Sequence, residues 1–246
     1  MILKNNVILI TGGTSGLGLE MAKRFIGLGN QVIVCSRSLK KLEETKRLLP
    51  SVETYQCDIS KEAERIQLYN RIMESFPKLN VFINNSAIVY RTDFLNDEKS
   101  YEKAVDEINT NLIAPIHLSK LFLNYLSAQS NTTLINITTG LVYIPRSIYP
   151  FYNATKSALH SFTQTLRHQL QNNQTKVIEV LFPAVNTPWH GGTPPKIAIS
   201  PEKAIDEMIT GLSKNKTEIR VAGVKKLYLL SRFFPKLAFR KMNAIE

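Results

Sequence analysis

The stretch Asn6–Gly29 constrains the fold most. A short apolar run, Asn6–Ile10, passes directly into Thr11-Gly-Gly-Thr-Ser-Gly-Leu-Gly18, and Leu19–Gly29 then carries helical spacing that stops at glycine. A strand that hands over to a helix in this way leaves the helix's first N–H groups, and its positive dipole end, facing the turn. Glycines let that turn bend sharply and let a phosphate approach the backbone closely, so the segment is expected to bind a nucleotide. Gly12, Gly16 and Gly18 place three residues between the first two glycines, a spacing different from the common G-x-G-x-x-G.

The same alternation continues along the chain. Gln31–Cys35, Glu53–Cys57, Asn80–Asn84, Thr132–Ile137 and Lys176–Phe182 are apolar runs of strand length, separated by polar stretches with helical spacing, and Glu218–Ala222 is a plausible last strand. Repeated strand–helix alternation predicts an α/β fold: one Rossmann-type, doubly wound domain over residues 1–246, a parallel sheet with helices on both faces. The proline- and glycine-rich run Phe182–Pro201 predicts a mobile substrate loop at about residues 186–200.

Composition narrows the function. No apolar stretch is long enough to span a bilayer, and the apolar run near Met1 is too short for a secretory leader, so a cytoplasmic protein is expected. The two cysteines, Cys35 and Cys57, each end a strand-like run and are expected to be buried, reduced thiols. The four histidines are scattered, so no metal site is expected. Of the net charge of +11, +7 falls between Lys214 and Glu246. No nucleic-acid recognition module accompanies it, and nucleic acid is not an expected partner. The basic, aromatic segment at about residues 224–246 is expected to pack over the substrate pocket or a subunit interface, with contact to an anionic membrane surface ranked second.

Tyr152 and Lys156 lie four residues apart, on one face of a predicted helix. A free phenol, with a pKa near ~10, is a poor base at neutral pH. A nearby ammonium is expected to lower that value by roughly 1–3 units. A phenol so tuned can exchange a proton with a carbonyl or alcohol oxygen. Tyr149 is a poorer candidate, since three and four residues on it finds Tyr152 and Asn153.

Taken in order, Thr11-Gly12-x-x-x-Gly16-x-Gly18, Cys57-Asp-Ile-Ser60, Asn84-Asn-Ser-Ala87, Tyr152-x-x-x-Lys156 and Pro183-Ala-Val-Asn-Thr187 resemble the short-chain dehydrogenase/reductase family over essentially the whole chain. Within it, the motifs look most like a bacterial subgroup associated with D-alanylation genes. The resemblance implies a seven-stranded parallel sheet binding a nicotinamide cofactor at the carboxyl ends of its strands. It also implies a homo-dimer or homo-tetramer and a small carbonyl or alcohol substrate.

By that resemblance, Gly12, Gly13, Thr14, Ser15, Gly16, Leu17 and Gly18 cradle the pyrophosphate, Asp58 and Ile59 border the adenine, and Asn85 the adenosine ribose. Ala87, Pro183, Val185 and Thr187 lie along the nicotinamide half, with Tyr152 and Lys156. The catalytic group would comprise Asn111, Thr139, Tyr152 and Lys156, with Lys156 also holding the nicotinamide ribose. Thr139 stands thirteen residues before Tyr152, where the family carries serine; its hydroxyl makes the same bond while its methyl crowds the pocket. Pro115 lacks an N–H, which frees the carbonyl of Asn111 to hold a relay water. Ser86 and Ala184 replace the family's usual alanine and glycine.

The second strand ends at Ser36 and Arg37, with no acid to bind the ribose hydroxyls. A hydroxyl and a guanidinium suit the additional phosphate of NADP(H). Tyr143, Arg146, Phe151, Trp189 and His190 flank the chemistry on loops and are expected to line the substrate pocket. The expected activity is NADP(H)-dependent interconversion of a carbonyl and a secondary alcohol, with reduction favoured by the cofactor. The alternative is a non-catalytic NADP-binding sensor or partner-binding protein on the same fold.

Overall fold

The computed structural model describes residues 1–190 and 193–244, with His190 described through its backbone alone. Seven strands form one parallel sheet in the order β3-β2-β1-β4-β5-β6-β7. They are β1 (Val7–Thr11), β2 (Gln31–Ser36), β3 (Glu53–Gln56), β4 (Val81–Asn84), β5 (Thr133–Thr139), β6 (Lys176–Phe182) and β7 (Glu218–Arg220). The helices between and after them are α1 (Gly16–Gly27), α2 (Leu39–Leu48), α3 (Glu62–Ser75), α4 (Ser100–Ile108), α5 (Ala114–Leu126), α6 (Pro150–Gln169), α7 (Pro201–Ser213), α8 (Val224–Phe233) and α9 (Pro235–Asn243).

The near-continuous apolar character of the strands follows from burial on both faces. In β1, Ile8 and Ile10 join Val32, Val34 and Ile83 under Met21 and Phe25 of α1 and Met208 and Leu212 of α7. Leu9, between them, points the other way, to Ile33, Phe82 and Leu134 under Ile72 of α3 and Leu118 and Phe122 of α5. Register is therefore fixed by two cores at once, because a slip of one residue would exchange them. β1 pairs with β2 on one side, Ile10 beside Val34, and with β4 on the other, Ile10 beside Ile83. The chain winds outward in both directions from that junction, which opens a crevice at the carboxyl ends of β1 and β4.

Between α4 and α5 the helix widens into a π-turn over Asn109–Ile113, where the Ala114 N–H donates to the carbonyl of Asn109. Pro115 follows it, so the widening coincides with the missing N–H read from the sequence. Cys35 and Cys57 are free and buried. No helix among the described residues is long and apolar enough to cross a membrane.

Candidate active site

At the carboxyl ends of the strands lies a cavity of about 660 Å³. One wall is the turn between β1 and α1. Gly12 and Gly16 have φ of +68° and +51°, values that strain side-chain-bearing residues. A Cβ on Gly18 would stand 2.2 Å from the carbonyl oxygen of Gly12, so the loop closes onto the helix only because that atom is missing. Ser86 tightens the turn further, its Oγ lying 2.7 Å from where a Gly12 Cβ would be. The Thr11 hydroxyl accepts the N–H groups of Asn85 and Ser86 at 3.0 Å, and the Asn85 amide donates to the Thr11 carbonyl at 2.9 Å, locking this loop to the end of β4.

Helix α1 begins at this wall with no side-chain cap from Ser15 and no acid in its first turn. Its first N–H groups and dipole are thereby left to a ligand, and a pyrophosphate fits that requirement. Thr14, Ser15, Gly16 and Leu17 line the cavity, as do Asp58, Ile59, Ala87, Pro183, Val185 and Thr187. Gly13 does not: a Cβ there would meet Val34, so this glycine packs the loop onto β2.

Elsewhere on the cavity lining, Ser36 accepts the Thr14 hydroxyl at 3.1 Å. Arg37 is exposed on the cavity wall and forms no ion pair among the described residues. The residues present fit a dinucleotide: an uncapped helix end for its phosphates and an uncommitted guanidinium beyond them.

Another part of the lining is built on α6 and the end of β5. Proline at the start of α6 and Tyr149 before it set the helix's entry, and the Asn153 amide donates to the Arg146 carbonyl at 2.7 Å, clipping the preceding loop to the helix. Tyr152 and Lys156 then face the cavity one turn apart, and Thr139 faces it from the end of β5. The Thr139 oxygen accepts the Leu141 N–H at 3.3 Å. Trp189 reaches back from the β6–α7 connection, its ring 5.4 Å from that of Tyr152 and 5.5 Å from that of Tyr149. Arg146 also lines the cavity.

The electrostatics differ from the expectation of an ammonium lowering the phenol. Burial pushes Tyr152 above its ordinary value, and the charges of Glu107 and Tyr149 push it the same way. Lys156 is 3% exposed, and its Nζ donates to the Ile137 carbonyl at 2.9 Å and stands 5.9 Å from the centre of the Tyr152 ring. Burial lowers Lys156 to about 8 against the opposing pull of Glu107 and Glu179. Desolvation of the pair outweighs the attraction the sequence suggested.

Those two carboxylates are the functional features that motif reading missed. Glu107 has no exposure; it accepts the Tyr90 N–H at 2.8 Å and the Asn111 amide at 3.3 Å. Burial raises it to about 7 despite the Tyr90 bond and the charge of Lys156. Glu179, also without exposure, accepts the Thr138 hydroxyl at 2.5 Å and pairs with His160 Nδ1 at 2.8 Å. An acid inside the apolar strand Lys176–Phe182, and another one helical turn before Asn111, were the available signals.

Asn111 is wholly buried behind the cavity wall and does not line it. Its side chain accepts the Ile88 N–H at 2.9 Å and donates to the Ile88 carbonyl at 2.8 Å, tying the β4–α4 connection to the π-turn. Two expected pocket residues point elsewhere. Tyr143 turns its hydroxyl to Glu218 at 2.8 Å and Arg220 at 3.1 Å, because that ion pair offers its phenol partners away from the cavity. Phe151 lies beside Phe94, with ring centres 6.2 Å apart, outside the cavity lining. The side chain of His190 lies outside the described residues. Val224, Leu227 and Met242 of α8 and α9 complete the lining. Among the described residues no cluster of His, Cys, Asp or Glu is placed to hold a metal ion.

The sequence matches the family model of short chain dehydrogenases over residues 6–197. It is 40% identical over 251 aligned residues to the uncharacterized oxidoreductase DltE of Bacillus subtilis (strain 168), covering 100% of both chains. Among solved structures, a short chain dehydrogenase from Burkholderia cenocepacia J2315 in complex with NADP superposes with a TM-score of 0.86 at 20% identity, over 98% of this chain and 99% of that one. A short chain dehydrogenase/reductase from Burkholderia phymatum in complex with NAD gives 0.84 at 16% identity, over 100% and 99%. With its glycine cradle, its order of strands and its Tyr-x-x-x-Lys helix, this chain belongs to the short-chain dehydrogenase family of oxidoreductases.

Proposed function

We propose that this protein is an NADP(H)-dependent oxidoreductase that interconverts a carbonyl and a secondary alcohol, with Tyr152 as acid and base. The observation that carries this is the shared cavity: Tyr152, Lys156 and Thr139 line the same cavity as the uncapped start of α1. The dinucleotide, when bound there, supplies or accepts the hydride. Tyr152, held protonated by burial, gives its proton to the substrate oxygen in reduction and recovers it in oxidation. Thr139 already accepts the Leu141 N–H, which leaves its own proton to donate to the same oxygen. Lys156 orients the ribose and, positively charged below about pH 8, favours the phenolate that forms as the proton leaves. Asn111 holds the π-turn and its carbonyl in place for a relay of protons to Lys156. Trp189 over Tyr152 limits water at the reacting oxygen.

Preference for NADP(H) rests on Ser36 and the uncommitted Arg37 at the end of β2, where no acid stands. A cytoplasmic setting accords with two free thiols that burial keeps protonated. The family likeness supports a small-molecule carbonyl or alcohol as substrate, and a homo-dimer or homo-tetramer as the assembly.

The test is Tyr152→Phe, read by NADPH fluorescence and by turnover over a panel of carbonyl compounds. Binding should persist while turnover falls by about 10²–10⁴. Turnover equal to that of the unmodified protein would refute the role of Tyr152. NADPH binding without turnover of any carbonyl by the unmodified protein would favour a cofactor-binding sensor.

A further inference from the structure

Helices α8 and α9 have two unlike sides. The inner side closes the cavity through Val224, Leu227 and Met242, and Asn243 clips the tail to the active-site loop: its amide donates to the Pro145 carbonyl at 3.2 Å and its oxygen accepts the Ser147 N–H at 2.6 Å. That side packs toward the cavity. The outer side does not. Leu229, Leu230, Phe233, Phe234, Leu237 and Phe239 stand exposed, Phe233 by 72% and Phe234 by 59%. Lys226, Leu229, Leu230 and Phe233 follow one another at helical spacing along a single face of α8. Leu229, Leu230 and Phe233, grouped on one exposed helix face, mark an interaction site.

Charge decides what the site meets. Lys225, Lys226, Arg232, Lys236, Arg240 and Lys241 stand on the same two helices, all exposed, and none forms an ion pair among the described residues. No acid occurs from Ile219 to Ala244. A second copy of the chain docked face to face would set these cations against their own counterparts, and like charges in a low-dielectric contact repel. A layer of anionic headgroups over acyl chains satisfies both features: phosphates take the lysines and arginines, and the leucine and phenylalanine side chains enter the apolar boundary.

We propose that the outer side of α8 and α9 docks the protein on an anionic lipid bilayer. Because the same two helices line the cavity, docking sets the helices that close the active site between it and the bilayer. The proposal is independent of the assignment of Tyr152.

The test is co-sedimentation of the full chain with vesicles of phosphatidylcholine alone or mixed with phosphatidylglycerol, across a salt series. Binding to the mixed vesicles, lost as salt rises and not seen with phosphatidylcholine alone, is expected. Lys236→Gln combined with Arg240→Gln should weaken it roughly thirtyfold. Phe233→Ser should weaken it at low salt while leaving NADPH binding and the circular dichroism spectrum unchanged, since it touches neither cavity nor core. Three results would overturn the proposal: no sedimentation with the mixed vesicles, equal sedimentation with both lipid compositions, or dissociation of an oligomer by Phe233→Ser with vesicle binding unaffected. The last would assign the face to a second copy.

Discussion

Replacing Glu107 by glutamine isolates the cost of burying a carboxylate beside Lys156. Burial raises Glu107 from its ordinary 4.5 to about 7. The fold thus favours its protonated form, so the stability it contributes is fully present below pH 4.5 and is lost as pH rises through about 7. The shift corresponds to about 3 kcal/mol, since each pKa unit is worth about 1.4 kcal/mol. Glutamine has no such titration. It retains an oxygen for the Tyr90 N–H, but its amide meets the Asn111 amide at the other position, a constant penalty at all pH values. The difference in unfolding free energy, unmodified minus variant, should therefore fall by about 3 kcal/mol between pH 4.5 and 7.5. Lys156 acts in the same direction: without Glu107 its already lowered pKa drops further, and a lysine that sheds its proton on folding makes the variant more stable as pH rises. Urea unfolding of both proteins at constant ionic strength, at half-unit pH steps, gives the difference directly. Parallel curves across that range would refute the argument, because they would mean that the Glu107 carboxyl is not perturbed by the fold.

Substitutions at two further positions probe the cavity. Thr139→Val preserves shape and removes the hydroxyl, so steady-state turnover should fall more than NADPH affinity does, whereas Thr139→Ser should preserve or raise turnover by relieving the methyl contact; equal loss in both variants would mean that the hydroxyl is not used. Arg37→Asp should weaken NADPH binding by about 1.5–3 kcal/mol and turn the preference toward NADH, as measured by calorimetry. Equal affinity of the unmodified protein for both cofactors would exclude a role for Arg37 in selecting between them.

Much of the molecule is legible in the amino-acid order. The strands are short and buried on both faces, so β1, β2 and β4 announce themselves as apolar runs whichever neighbour they pair with. The glycines at 12, 16 and 18 are demanded by local backbone geometry and close approach, which a chain states in its own residues. The four-residue interval from Tyr152 to Lys156 fixes a shared helix face wherever that helix lies. Pro115 foretells disturbance of the helix before it, and the π-turn over Asn109–Ile113 lies there. Tertiary structure alone decided the balance of desolvation against charge. Whether Lys156 lowers Tyr152 depends on what surrounds both groups, and here Glu107 arrives from α4 and Glu179 from β6, while the Ile137 carbonyl takes the ammonium. Tyr143 stands near the chemistry in sequence but finds Glu218 and Arg220, more than seventy positions on, as its partners. The amphipathic tail could be read as basic and aromatic, but only the packed chain separates the side that closes the cavity from the side left facing outward. Periodicity and backbone demands are local and survive in one dimension; burial and partnership are properties of the assembled chain.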